Sequence, residues 1–133
     1  EMQMRSWLRF RVDAGSAITV DIMQNKQHKG GFILSGLYAM QKTYCTISTE
    51  LDFKFNTKVS LDKLPLNTND AISYAIIQSI VQSIKSVAVN KDIIFTGGDG
   101  LFLSKYFTNA TYNKYLIFDN IKLLLDKMNL IKN

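Results

Sequence analysis

A carboxylate, a glycine and a hydroxyl lie within four consecutive residues at Asp13-Ala14-Gly15-Ser16. This segment follows an apolar stretch that ends at Val12 and precedes another that begins at Ala17. Backbone amides and a hydroxyl at such a turn can meet phosphate oxygens, while the carboxylate can hold a cation. The glycine permits a close backbone approach that a Cβ would block. The residue types therefore predict a phosphate and cation site, with an ordinary hairpin turn as the alternative.

A second candidate segment, Thr96-Gly97-Gly98-Asp99, follows the apolar run 93–95. A strand, a glycine turn and a helix in succession are typical of nucleotide sites, because amides exposed at the turn favour anions. A glycine pair between a strand and a helix can equally be a plain connection. The spacings of a Walker A loop and of Gly-x-Gly-x-x-Gly are both absent, which argues against P-loop and dinucleotide folds.

The hydrophobic patterns predict the elements that must position these residues. Three antiparallel strands come first, and helices and strands then alternate. Isoleucines at nearly every fourth position mark one long helix, preceded by Asn67 or Thr68 as its cap. The predicted strands cover 7–13, 17–23, 31–34, 92–96 and 115–118, and the predicted helices cover 37–50, 69–89, 100–107 and 119–131.

This order predicts an α/β fold, in which a three-stranded antiparallel meander is followed by alternating helices and strands. It is the order of a ribonuclease-H-like half and of the repeating half of the actin-like ATPases of the sugar-kinase superfamily. The chain has 133 residues, a length that fits a single domain over 1–133.

Composition narrows the class of protein. The net charge is +5, but the lysines are scattered rather than clustered, so we expect no nucleic-acid partner. A mildly basic protein that handles ATP and an acidic substrate accounts equally well for the charge. The one cysteine, Cys45, permits no internal disulfide. No apolar run approaches a membrane span and no secretory signal is visible, so we expect a cytoplasmic protein without a membrane partner.

Several motifs in a fixed order together resemble the type III pantothenate kinase family, although each alone is weak. The resemblance covers most of the chain, and residues 1–11 match it poorly. The motifs are Asp13–Asp21, His28-x-Gly30-Gly31, Gly36, Thr68-Asn69-Asp70-Ala71 and Thr96-Gly97-Gly98-Asp99.

The resemblance implies a fold and an activity. Members of this family resemble actin-like kinases, in which two halves face each other across an ATP cleft. They phosphorylate pantothenate with ATP to 4′-phosphopantothenate, the first step of coenzyme A biosynthesis. They are typically homodimers that need Mg²⁺ and a monovalent cation, K⁺ or NH4⁺. The chain is similar to the C-terminal ATPase half of such an enzyme.

The resemblance also implies roles for individual residues. Asp13 would hold the monovalent cation. Gly15 and Ser16 would bind ATP at its phosphates, with Ser16 standing where the family usually has threonine. Gly97 and Gly98 would lie against the adenosine.

Thr68 would contact pantothenate through its hydroxyl, with a plain helix cap as the alternative role. His28, the only histidine, is interpreted as a support of its hairpin rather than as a general base. A second apolar strip on the long helix, at Ile77 and Ile84, would be explained by a partner subunit or by a further layer of the same molecule.

Two family motifs are absent from residues 1–133: the Asp-x-Gly-Asn-Thr phosphate motif and the Gly-x-Asp-Arg motif that carries the general base. We therefore expect no catalytic residue in this chain, and little or no kinase activity from it alone. One alternative function is a non-catalytic regulatory or dimerisation protein related to the transcriptional accessory factors of the same family. Another is an actin-like kinase that acts on a sugar or on acetate.

Overall fold

The computed structural model describes residues 8–47 and 53–116. Within these residues the chain forms a five-stranded mixed sheet and three helices. The strands are β1 (Arg9–Ala14), β2 (Ala17–Gln24), β3 (Gln27–Ser35), β4 (Ile93–Thr96) and β5 (Ala110–Tyr112). The helices are α1 (Leu37–Ile47), α2 (Thr68–Val87) and α3 (Gly100–Ser104).

The strands are arranged in the order β3-β2-β1-β4-β5. β2 runs antiparallel to both β1 and β3, whereas β4 is parallel to β1 and β5 is parallel to β4. The predicted α/β class and the opening antiparallel meander are therefore confirmed. Because β1, β3, β4 and β5 all point the same way, their carboxyl ends meet at one edge of the sheet.

One face of the sheet holds the core. Alternate side chains of the strands point toward this face, and the isoleucine stripe of α2 packs against it. Ile77 and Ile84, which the sequence placed on a second strip, are both fully buried. Burying one such side chain contributes about 1.5–3 kcal/mol. The fully buried members of this core cluster include Val12, Ala14, Ile18, Val20, Phe95, Ile80, Ile84 and Leu103.

The opposite face of the sheet is more polar. Arg11 and Asp13 alternate with the core residues of β1, and register pairs Arg11 with Asp21 of β2 and Asp13 with Thr96 of β4. Paired residues of neighbouring strands lie on the same face, so these four side chains share the polar face.

The segment 53–67, which precedes α2, has neither helix nor strand. Asn56 binds this segment to the start of α2. The backbone amide of Asn56 donates to Ser73 Oγ (2.8 Å), and its side-chain Nδ2 donates to Asp70 Oδ1 (2.8 Å). The hydrogen bonds from Asn56 and Asn67 lower the pKa of Asp70. The start of α2 is therefore tied to the loop that precedes it.

The predicted strand over 115–118 is wrong in its described part, because Tyr115 and Leu116 lie in no strand. The last strand within residues 53–116 is β5 instead. It is short and mostly exposed, and backbone hydrogen bonds attach it to β4: Ile93 donates to Asn109 (2.9 Å) and Asn113 donates to Phe95 (2.9 Å). Three residues at a sheet edge carry too little periodicity to be recognised.

Two other bounds differ from the prediction. β3 begins at Gln27 rather than at residue 31, and α3 ends at Ser104 rather than at residue 107. Residues 48–50 of the first predicted helix, residues 117–118 and the predicted helix 119–131 lie outside the described residues. Among the described helices, none has the length and apolar composition that a membrane span requires.

Candidate functional site

The candidate site lies at the edge of the sheet where the carboxyl ends of β1, β3 and β4 meet. In open α/β sheets ligands bind in the crevice outside such strand ends. Both segments selected from the sequence lie here: the edge turn, defined as Asp13–Ser16, begins with the last two residues of β1, and Gly97 and Gly98 follow β4. The fold therefore brings together two segments that are far apart in the sequence.

The edge turn is held from one side by the residue after β3. The amide of Gly36 donates to the carbonyl of Ser16 (3.2 Å). A Cβ on Gly36 would lie 2.6 Å from the Gly15 carbonyl oxygen and would also overlap the carbonyl oxygen of Ser16, so only glycine fits. The side chain of Ser16 is exposed, which leaves its hydroxyl open to a ligand.

Gly97 holds the edge turn from the other side. Its φ of +88° suits glycine, and a Cβ there would lie 2.6 Å from the Ala14 carbonyl oxygen and 2.7 Å from Asp13 Oδ1. The amide of Asp99 donates to the same Ala14 carbonyl (2.9 Å). The Asp13 carboxylate therefore points toward the glycine pair rather than into the apolar core.

The two glycines of the pair have different surroundings. Gly97 is buried against the edge turn, whereas Gly98 is exposed and has open space where a Cβ would stand. Gly98 consequently presents a flat, accessible stretch of backbone beside the turn. A planar ring could approach there without a side chain in the way.

Asp13 is half-buried on the polar face. Burial chiefly raises the pKa of its carboxyl, and the nearby carboxylate of Asp21 raises it further, while the Arg11 guanidinium opposes the change. A carboxylate that is poorly solvated and close to a second negative charge gains from a bound cation. Within the described ranges no three His, Cys, Asp or Glu side chains cluster as a metal site, so any cation at Asp13 needs oxygen donors of other kinds.

Two residues beside the glycine pair received no role from the sequence. Thr96 is fully buried, and its Oγ1 has no hydrogen-bond partner among the described residues. Asp99 precedes α3 without a side-chain capping bond, and partial burial raises its pKa. Their position next to Gly97 and Gly98 in the motif is the signal that could have found them.

Thr68 is the first residue of α2 and is exposed. The cap is Asn67, whose Oδ1 accepts the Asp70 amide (2.8 Å), so the alternative reading of Thr68 as the cap is wrong. The Thr68 hydroxyl forms no hydrogen bond within the described part of the chain. The structure thus leaves this hydroxyl open to a ligand, but it forms no bond that joins Thr68 to the edge turn.

His28 lies at the far end of the sheet from the edge turn. Its Nε2 is 2.9 Å from Asp21 Oδ1, and this contact bridges β2 and β3 in the hairpin that joins them. Both side chains are close to half-exposed, at 48% and 41%. The position of His28 fits the interpretation of a residue that supports its hairpin.

Comparison with known proteins gives a consistent result. Residues 9–90, more than half of the chain, match the family model described as type III pantothenate kinase. Two curated relatives carry that name: one from Campylobacter jejuni is 52% identical over 114 residues (86% of this chain and 54% of the relative), and one from Wolinella succinogenes is 44% identical over 117 residues (88% and 56%). The chain spans about half the length of the curated relatives it matches.

A solved structure from Campylobacter jejuni is also similar, with a TM-score of 0.78 and 48% identity. The match covers 92% of this chain and 59% of that one, which is described as a conserved, proposed Baf family transcriptional activator.

Proposed function

The chain belongs to the type III pantothenate kinase family, and we propose that it forms part of an enzyme that phosphorylates pantothenate with ATP. The product is 4′-phosphopantothenate, and the reaction is the first step of coenzyme A biosynthesis. The observation that carries the proposal is the packing of Gly97 against Asp13 and Ala14, which places the edge turn beside the open backbone of Gly98. A nucleotide could then extend from one segment to the other.

Each residue at this edge has a proposed part in nucleotide binding. The Ser16 hydroxyl and the backbone at Gly15 contact the ATP phosphates, because both lie at an exposed turn held rigid from two sides. Gly97 and Gly98 lie against the adenosine, with Gly98 offering the accessible surface. Asp13 supplies a carboxylate oxygen to a monovalent cation.

The proposed cations offset the negative charge of ATP. K⁺ or NH4⁺ at Asp13 would screen the triphosphate, and Mg²⁺ would come with ATP, since it is held largely by substrate phosphates and water. Phosphoryl transfer depends mainly on positioning and on stabilising charge between the two walls of a cleft. In this proposal the chain supplies one wall, with nucleotide and cation contacts, and no general base.

The proposed fold and assembly follow the family. The antiparallel meander followed by parallel strands and helical connections supports a ribonuclease-H-like half of the actin-like type, with 1–133 as one domain. We further propose a cytoplasmic homodimer with pantothenate and ATP as its small-molecule partners.

The experiment that tests the function is a phosphorylation assay on two proteins. One is the chain alone. The other, the completed protein, is the chain joined at its amino end to a segment that carries the Asp-x-Gly-Asn-Thr and Gly-x-Asp-Arg motifs of the family. We expect ATP-dependent phosphorylation of pantothenate by the completed protein and background activity from the chain alone. A completed protein that folds and binds ATP but leaves pantothenate unmodified would refute the kinase assignment.

The similar solved structure favours a second candidate function, since its description concerns transcription rather than catalysis. In that case the chain would serve in regulation or dimerisation without chemistry. The same assay separates the two functions, because a regulator would leave pantothenate unmodified even when both motifs are restored. A completed protein that phosphorylates a sugar or acetate in place of pantothenate would identify the third alternative.

The proposed substrate contact of Thr68 can be separated from helix stability with a matched pair of variants in the completed protein. Thr68→Ala should raise the KM for pantothenate more than that for ATP, with little change in stability, because Asn67 supplies the cap. Asn67→Ala should instead lower the unfolding free energy by about 1 kcal/mol. Equal KM changes for both substrates in Thr68→Ala would exclude the contact.

A further inference from the structure

The hydroxyl of Thr96 is a buried polar group without a partner. Thr96 is fully buried at the end of β4, and its Oγ1 meets no donor or acceptor within residues 8–47 and 53–116. A buried hydroxyl normally forms a hydrogen bond, and one left unpaired destabilises a fold. An unpaired hydroxyl next to a candidate site therefore suggests that a ligand supplies the missing interaction.

The position of Thr96 shows which ligand would do so. Asp13 and Thr96 are directly paired in the parallel register of β1 and β4, so their side chains lie on the same polar face about 4.8 Å apart at the backbone. Oδ1 of Asp13 points toward Gly97, the residue next to Thr96. The carboxylate and the hydroxyl form no hydrogen bond with each other, although they are neighbours.

Two neighbouring oxygens that are not hydrogen-bonded to each other can both face a positive charge. An anion is disfavoured at this point, because within the described residues the carboxylates of Asp13 and Asp21 outnumber the one nearby guanidinium, that of Arg11, on the same face. A divalent ion is also disfavoured, because the described residues gather no cluster of three acidic or other metal-binding side chains. One carboxylate and one neutral hydroxyl suit a weakly charged ion that completes its shell with phosphate oxygens and water.

We propose that Thr96 Oγ1 is a second protein ligand of the monovalent cation, beside Asp13. The proposal rests on the cation role proposed for Asp13. It gives the first residue of the Thr96–Asp99 motif a function that the two glycines do not have. It also couples the cation to the loop that carries Gly98, since one strand end holds both.

The test measures thermal unfolding of the 133-residue chain with ATP, as KCl replaces choline chloride at constant ionic strength. The wild type should gain melting temperature with K⁺. Thr96→Val removes the hydroxyl with little change of shape and should raise the half-saturating K⁺ concentration by about tenfold, equivalent to about 1.4 kcal/mol. In choline chloride the same variant should be at least as stable as the wild type, because the unpaired hydroxyl is gone.

Two further variants serve as controls. Thr96→Ser keeps the hydroxyl and should keep the K⁺ response, whereas Asp13→Asn should lose it. A normal K⁺ response in Thr96→Val would overturn the proposal. A Thr96→Val variant that loses the K⁺ response and is also less stable than the wild type in choline chloride would overturn it too, because Thr96 would then be structural.

A wild type without any K⁺ response would overturn both cation ligands. The nucleotide assignment is tested separately by ATP binding in choline chloride, which needs no K⁺. If Thr96→Val does not fold, anomalous scattering from Rb⁺ in crystals of the wild-type chain tests whether Thr96 is a ligand of the cation. A peak within coordination distance of Asp13 but not of Thr96 Oγ1 would overturn the proposal.

Discussion

Two short turns at opposite ends of β2 differ in what surrounds them. Gly15 and Ser16 connect β1 to β2 within the edge turn. Asn25 and Lys26 connect β2 to β3, both with positive φ (52° and 68°), within a segment we call the distal hairpin (Asp21–Gly31). Such φ values are those of a two-residue hairpin turn, which is determined by its own residues.

The edge turn is held by residues that are distant in the sequence. Gly36 donates to the Ser16 carbonyl from the end of β3, and Asp99 donates to the Ala14 carbonyl from the loop after β4. The side-chain contact across the distal hairpin is the exposed pair of Asp21 and His28. A site needs a backbone that other elements hold in place, and the edge turn has such a backbone.

The largest expected effect on stability and on ATP binding comes from adding a side chain at Gly97. Gly97→Ala adds a Cβ that would lie 2.6 Å from the Ala14 carbonyl oxygen, at a φ of +88° that alanine rarely adopts. Strain and overlap together should lower the unfolding free energy by about 3 kcal/mol and abolish ATP binding. Urea unfolding and calorimetric ATP titration measure the two effects.

Gly30→Ala is the matched control in the distal hairpin. Gly30 also has a positive φ, +119°, but no atom lies within 4 Å of its added Cβ. We expect a loss of about 1–2 kcal/mol from backbone strain alone, with ATP binding intact. Equal losses of stability and binding in the two variants would show that the edge turn is no more constrained than the distal hairpin.

A smaller effect on stability, and one of opposite sign, is expected when the charge of Asp13 is removed. Burial and Asp21 raise the pKa of its carboxyl above the ordinary value of 3.8 in the folded state. The folded protein therefore binds this proton more tightly than the unfolded chain does. The stabilisation from this group is complete below pH 3.8 and is lost as the pH rises through the raised pKa.

Asp13→Asn removes the charge and should leave the chain equally or more stable at pH 7 in choline chloride. The difference should shrink as the pH falls toward 4 and below, because wild-type Asp13 then becomes neutral as well. With ATP and K⁺ the order should reverse, since only the wild type gains from the cation. Melting curves from pH 3 to 8 with both salts test this, and a variant less stable than the wild type in choline at every pH would contradict it.

The sequence predicted those parts of the fold that are specified locally. The meander was recognised because its apolar residues alternate with polar ones, and α2 because its apolar residues recur at about every fourth position. Each spacing indicates directly which face of the element is buried. β5 was missed because it is a three-residue edge strand that depends on backbone bonds to β4. The extension of β3 back to Gln27 was missed for a related reason, since exposed polar residues there pair through the backbone.

In the site, too, some residues are specified locally and others depend on the pairing of strands. Residue types and spacing identified Asp13, Ser16 and the glycine pair, and their resemblance to a family gave each a role. Thr96 stands in the same motif as the glycine pair, but its burial and its pairing with Asp13 depend on the register between strands that are far apart in the sequence. Register of this kind follows from packing of the whole sheet rather than from any local pattern.

The smallest expected effect is at the distal hairpin itself, where His28→Ala removes the contact with Asp21. Because both side chains are about half-exposed, the pair should contribute no more than about 0.5 kcal/mol at pH 7. ATP binding and the K⁺ response should be unchanged, since His28 lies near the start of β3, at the end of the sheet opposite the edge turn. Urea unfolding and the K⁺ titration of melting temperature measure both properties. A His28→Ala variant with a weakened K⁺ response would show that Asp21, once released from His28, alters the charge around Asp13, and the two ends of the sheet would then be electrostatically coupled.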